Sequence, residues 1–63
     1  MMTPSRLLTL QDVAIRTTLS RRTIQRLVRA GTMPHYRLQG RIRIAPADVD
    51  KYLDARFIPA RGN

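Results

Sequence analysis

Leu19-Ser-Arg-Arg-Thr-Ile-Gln-Arg-Leu-Val-Arg-Ala-Gly31 is the stretch on which the reading of this chain turns. Ser20 is a natural N-cap, because its hydroxyl can accept a hydrogen bond from a backbone N–H that the first turn leaves free. Leu19 and Ile24 fall at the two staple positions that fix how the chain enters a helix, and Gly31 supplies the left-handed residue that ends one cheaply. At about 100° per residue, Ile24, Leu27 and Val28 share one face. Arg22, Arg26 and Arg29 lie opposite, with Arg21 and Gln25 on a flank. One side is built to pack and the other to reach outward.

Upstream, Thr9 and Asp12 have the spacing of a capping box, flanked by Leu8 and Val13 at staple positions, so a first helix is expected to start at Leu10. Leu10, Val13, Ala14 and Thr17 recur at helical spacing, and a turn of about three or four residues would join the two helices. That is a helix-turn-helix arrangement. Met1 to Arg6, with Pro4, reads as a flexible N-terminus, and Leu7 or Leu8 as the point where the chain enters the core.

Downstream the period changes. Thr32-Met-Pro34 is a connector, because proline cannot continue a helix and biases Met33 to an extended conformation. His35-Tyr-Arg-Leu38 and Arg41-Ile-Arg-Ile44 alternate in period two around Gln39-Gly40, the signal of a short hairpin. Tyr36, Leu38, Ile42 and Ile44 are expected to face inward, Arg37 and Arg43 outward, and Arg41 to stand at or beside the tip. Pro46 suits the first position of a third helix, with Asp48 and Asp50 near its positive end and Val49, Tyr52 and Leu53 as its apolar stripe. Ala45 is a poor cap for it. The expected class is α+β and mostly helical, a small winged helix-turn-helix: a flexible start over 1–6, a domain over 7–56 and a tail over 57–63.

Charge narrows the partner. Twelve basic residues against four acids give +8 on 63 residues. Between Val13 and Ala47 there are eight arginines and no acid, whereas outside that block the basic residues and the four aspartates balance. A solvated surface normally mixes signs, so a one-sign block points to a polyanion, and arginine is the better fit to phosphate and guanine. Nucleic acid is the expected partner, and the helix-turn-helix plan makes it double-stranded DNA. A membrane surface fits less well, because the arginine helix has neither Trp nor Phe to anchor it.

Other classes find little support. No cysteine is present, so there is no disulfide framework or thiolate metal site. His35 has no companion ligand and reads as a strand residue or a neighbour of phosphate. The aspartates read as helix-start residues rather than acid–base pairs, and Tyr36 and Tyr52 as core. No enzyme, cofactor or metal is expected. There is no signal-peptide pattern and no apolar run near the roughly 20 residues of a membrane span, so a cytoplasmic location is expected.

Leu8-Thr-Leu-Gln-Asp-Val-Ala14, Leu19-Ser-Arg-Arg-Thr-Ile24, Val28-Arg-Ala-Gly-Thr-Met-Pro34, the Gly40-Arg41 wing and Asp48-Val-Asp-Lys-Tyr-Leu53 together resemble the excisionase-type, MerR-like winged-helix domains. The resemblance covers nearly the whole chain. It departs at Thr17 and Thr18, where the family places a leucine and then a glycine, so a tighter or differently built turn is expected. It implies a second helix in the major groove and a wing in the minor groove of DNA, in a bacterial cell. The functional class it implies is a phage or mobile-element excisionase, a recombination directionality factor that binds near an integrase attachment site, bends DNA and promotes excision. A small winged-helix transcription regulator is the alternative.

The residues expected at the DNA are Ser20, Arg21, Arg22, Thr23, Gln25, Arg26 and Arg29 of the recognition helix and Arg37, Gln39, Gly40, Arg41 and Arg43 of the wing. One helix and one wing read only a few base pairs, so cooperative self-association on adjacent sites is expected, together with a site-specific recombinase as partner. Phe57 and Ile58 are the candidate protein contact, with Phe57 folding back as a core cap as the alternative.

Overall fold

The computed structural model describes residues 6–60. Residues 1–5 of the expected flexible start and 61–63 of the expected tail lie outside the described residues. Five elements follow in order: α1 Leu10–Thr17, α2 Arg21–Arg29, β1 Tyr36–Leu38, β2 Arg41–Arg43 and α3 Pro46–Ala55. This is the expected winged helix-turn-helix.

The capping box at α1 is complete: Thr9 Oγ1 accepts from the Asp12 N–H and Asp12 Oδ2 from the Thr9 N–H, both at 3.0 Å. These bonds hold the Asp12 carboxylate below its ordinary pKa, the Thr9 backbone N–H first and its side chain next, with Arg43 and Arg6 adding weaker attraction. The turn to α2 is the unusual part. Thr18 caps α1 in the left-handed region at φ 62°, where a Cβ costs about 1–2 kcal/mol relative to glycine. Thr17 helps to hold it there, since its hydroxyl donates to the Val13 carbonyl at 2.8 Å and accepts from the Leu19 N–H at 3.3 Å.

Ser20 caps α2 by accepting from the Thr23 N–H at 3.1 Å. The other end closes as a Schellman motif: Gly31, at φ 80°, donates to the Val28 carbonyl and Thr32 to the Leu27 carbonyl. Such a close needs positive φ at this position, which glycine adopts without strain. The connector does more than link. Met33 is fully buried, and its N–H also reaches the Leu27 carbonyl, at 3.2 Å.

β1 and β2 pair antiparallel across a two-residue loop in which Gln39 and Gly40 both have positive φ, as a type I′ turn requires. The register sets Tyr36 opposite Arg43, Arg37 opposite Ile42 and Leu38 opposite Arg41. Residues directly opposite share a face. Tyr36 and Leu38 therefore leave the sheet on the side of Arg43 and Arg41 and are about half exposed, at 51% and 48%, instead of facing in. Arg37 does not share an outward face with Arg43 but stands on the isoleucine side. Beyond β2, Ile44 and Leu8 exchange backbone hydrogen bonds at 2.7 and 2.8 Å, which anchors the N-terminal segment beside the wing.

Val13 and Ala14 of α1, Ile24 and Val28 of α2, Met33, Ile44 and Val49 of α3 form the buried cluster, with Leu8, Leu10, Leu19, Leu27, Ile42 and Tyr52 packed around it. Each fully buried aliphatic side chain contributes about 1.5–3 kcal/mol, so few can be spared in a core this small. An exposed ion pair, Arg16 to Asp50 at 3.4 Å, ties α1 to α3. α3 begins at Pro46 after Ala45, whose side chain makes no capping bond. Leu53 lies at the exposed edge of the α3 stripe, and Arg56 lies over the Tyr52 ring, 3.9 Å from its centroid. Phe57 and Ile58 are 72% and 87% exposed, so Phe57 is not a core cap.

Candidate nucleic-acid interface

Burial of Ile24 and Val28 turns the opposite side of α2 to solvent, and Arg22, Gln25, Arg26, Arg29 and Ala30 line a shallow concavity there. The arrangement is unfavourable for the helix by itself. Arg21 and Arg22 stand in the first turn with no acid, against the positive end of the helix dipole. Arg22 and Arg26 at i, i+4, and Arg26 and Arg29 at i, i+3, are like-charge neighbours that cost a few tenths of a kcal/mol each. Only Arg26 and Arg29, in the last turn, gain from the dipole. An anion laid along this face would reverse the repulsion.

The wing runs beside the same helix and encloses two further hollows. Near the start of α2, Arg21 shares a hollow with Arg41 and Arg43 of β2, the N-cap Thr9, and Leu10 and Gln11 of α1. Here Arg43 is half-buried and donates from Nη1 to the Ile42 carbonyl at 2.8 Å, which fixes its guanidinium. Further along α2, Gln25, Val28 and Arg29 face His35, Arg37 and Ile42 across the second hollow. Ile42 lines both. Among the described residues no carboxylate lines any of the three concavities. Of the eight arginines in the acid-free block, Arg16 is drawn off by Asp50, and the other seven line these surfaces.

The expected residues are thus placed in distinct settings. Arg22 and Arg26 stand on the open face, Arg21 joins Arg41 and Arg43, and Gln25 and Arg29 join Arg37. The hydroxyls of Ser20 and Thr23 lie 2.8 Å apart and serve the cap, and Thr23 is half-buried. Gln39 and Gly40 form the exposed tip, and Phe57 and Ile58 follow α3 without lining any of the hollows. Gln11 and His35 are among the lining residues outside the expected set. Gln11 reaches the interface only because α1 starts beside the wing, which no local pattern announces. His35, expected only as a strand residue or phosphate neighbour, stands just before β1 instead of in it, and lines the same hollow as Arg37.

The sequence pattern of the helix-turn-helix domain family matches residues 7–56. The chain belongs to that family. Helix-turn-helix domains lay their second helix in the major groove, its N-terminal residues toward base edges, so membership points to DNA as the ligand. Comparison with curated proteins and with solved structures found no match. Among the described residues no helix of this helix-turn-helix domain is long and apolar enough to cross a membrane.

Proposed function

We propose that this helix-turn-helix domain is a sequence-specific DNA-binding protein of the excisionase type, which binds near a recombinase attachment site, bends the duplex and favours excision. The observation that carries the DNA-binding part is the acid-free arginine face of α2, continued by the arginines of the wing. Arg22 in the first turn of α2 and Arg26 one turn further on are set to form bidentate hydrogen bonds to guanine O6 and N7, each discriminating by about 1–3 kcal/mol. Arg21, Gln25, Arg29, Arg37 and Arg43 flank them as phosphate contacts that fix position without reading sequence. Arg41 at the wing enters a minor groove, where a narrow A·T-rich groove concentrates negative potential.

The excisionase assignment rests on the resemblance of the helix, wing and third-helix motifs, and on the exposed apolar pair Phe57 and Ile58 beyond α3. That pair suits contact with a neighbouring copy or with the recombinase, and copies bound head to tail would extend a read-out of a few base pairs along the duplex. The domain itself makes and breaks no covalent bond. An excision assay with a site-specific recombinase, sought first among the products of neighbouring genes, tests the proposal: excised product should depend on the protein and disappear with Arg26→Ala. DNA binding with no effect on excision, together with altered transcription from a promoter carrying the site, would assign the protein to regulation instead.

A further inference from the structure

We propose that the hollow between α2 and β1 seats one backbone phosphate of the bound duplex, and that protonation of His35 strengthens its hold. This rests on the DNA-binding reading above and adds a linked proton to it.

The imidazole is already oriented. His35 Nδ1 lies 3.2 Å from the Met33 carbonyl oxygen. A carbonyl can only accept, so Nδ1 carries the hydrogen and Nε2 is the ring's remaining polar atom. Met33 is itself fixed, being fully buried with its N–H on the Leu27 carbonyl. In the neutral ring Nε2 offers a lone pair, which repels a phosphate oxygen. In the charged ring it offers an N–H, which a phosphate oxygen accepts.

The groups facing this ring are all basic, polar or apolar. α2 contributes Gln25, Val28 and Arg29, β1 contributes Arg37, and β2 contributes Ile42. An added proton there meets like charge from two guanidiniums unless an anion fills the hollow. Phosphate and proton therefore favour each other, and the coupling is reciprocal: if phosphate draws the proton in, lowering the pH draws the phosphate in. Arg29 and Arg37 stay charged throughout and supply the pH-independent part of the attraction. His35 is the only histidine in the chain, so its substitution removes every imidazole contribution at once.

Duplex affinity should be measured at fixed ionic strength near pH 6 and near pH 8, the range in which imidazoles change charge, for the unsubstituted protein, His35→Gln and Arg37→Ala, with a thermal melt of each. The unsubstituted protein should bind about three- to ten-fold more tightly at the lower pH, within the limit of about tenfold per pH unit for one linked proton. His35→Gln should still bind DNA but lose that difference, and Arg37→Ala should bind more weakly at both values with a shallower salt dependence. An equal pH response in His35→Gln overturns the proposal while leaving DNA binding intact. No duplex binding by the unsubstituted protein at either pH overturns both readings. If inorganic phosphate alone shifts the His35 ring resonances as fully as duplex does, the hollow is a seat for a free anion and the DNA assignment is overturned.

Discussion

Arg37 and Ile42 stand directly opposite each other across the hairpin, so a guanidinium leaves the wing on the same face as an isoleucine that packs against the core. The wing is therefore two-sided in charge. One face carries Arg41 and Arg43 with Tyr36 and Leu38, and the other sets Arg37 and His35 against α2. α2 is flanked by arginines along its length.

Because Arg22 opposes the dipole and repels Arg26, its replacement should separate stability from binding. Arg22→Glu should raise stability by about 0.5–1.5 kcal/mol, by complementing the positive helix end and pairing with Arg26 one turn on. On DNA the same change should weaken affinity at least about tenfold. A thermal melt and a duplex titration on one preparation check both, and a lowered melting temperature would show that Arg22 serves the fold.

Thr18 predicts a gain from a small residue. Thr18→Gly removes the Cβ from a left-handed conformation, and after the extra freedom of the unfolded chain is subtracted should stabilise by about 0.5–1 kcal/mol in a urea titration. The hydroxyl of Thr17, not that of Thr18, bridges the turn to α2. Destabilisation by Thr18→Gly would mean that the Thr18 side chain contributes more than its backbone strain costs.

The capping box carries a pH signature. Asp12 has its folded-state pKa lowered, chiefly by the Thr9 backbone N–H. Its contribution is thus fully present above the unfolded aspartate value of about 3.9 and is lost as pH falls through the lower folded value. The melting temperature of the unsubstituted protein should exceed that of Asp12→Asn at neutral pH, and the gap should close in strong acid. A gap independent of pH would remove the carboxylate from the cap.

Phe57 and Ile58 are too exposed to hold the fold, so Phe57→Ala should leave stability within about 0.5 kcal/mol. If the pair mediates contact between copies, the variant should bind a single DNA site normally and lose cooperativity on two adjacent sites in a mobility-shift titration. A large fall in melting temperature with cooperativity unchanged would contradict this.

How much of this was legible in the sequence depended on range. Thr9 with Asp12, Ser20, Gly31 and Gln39-Gly40 act through bonds spanning a few residues, and each announced its cap or turn. Tyr36 and Leu38 read as core residues in sequence because they are apolar and alternate. A two-residue loop already dictates that Leu38 opposes Arg41, and that register sends both apolar side chains to the arginine side. Pairing geometry outweighs hydrophobicity here. Met33 reads as part of a connector because Pro34 dominates its local signal, whereas its burial comes from packing with residues of α1, α2 and α3. Within the interface, the stripe of α2 followed from helical period alone. The meetings of Arg21 with Arg43, and of Arg29 with Arg37 and His35, required the wing to be placed against the helix.

In the proposed function the arginine face of α2 reads DNA sequence, and Arg26 tests this most directly. Dissociation constants should be measured for the unsubstituted protein, Arg26→Ala and Arg29→Ala on a duplex selected from a random library and on its scrambled counterpart, at one salt concentration. Arg26→Ala should lose about ten- to a hundred-fold on the selected duplex, matching about 1–3 kcal/mol for a base-edge contact, and far less on the scrambled one. Arg29→Ala should weaken both about equally. Equal losses on the two duplexes for Arg26→Ala, or no preference of the unsubstituted protein between them, would contradict the claim.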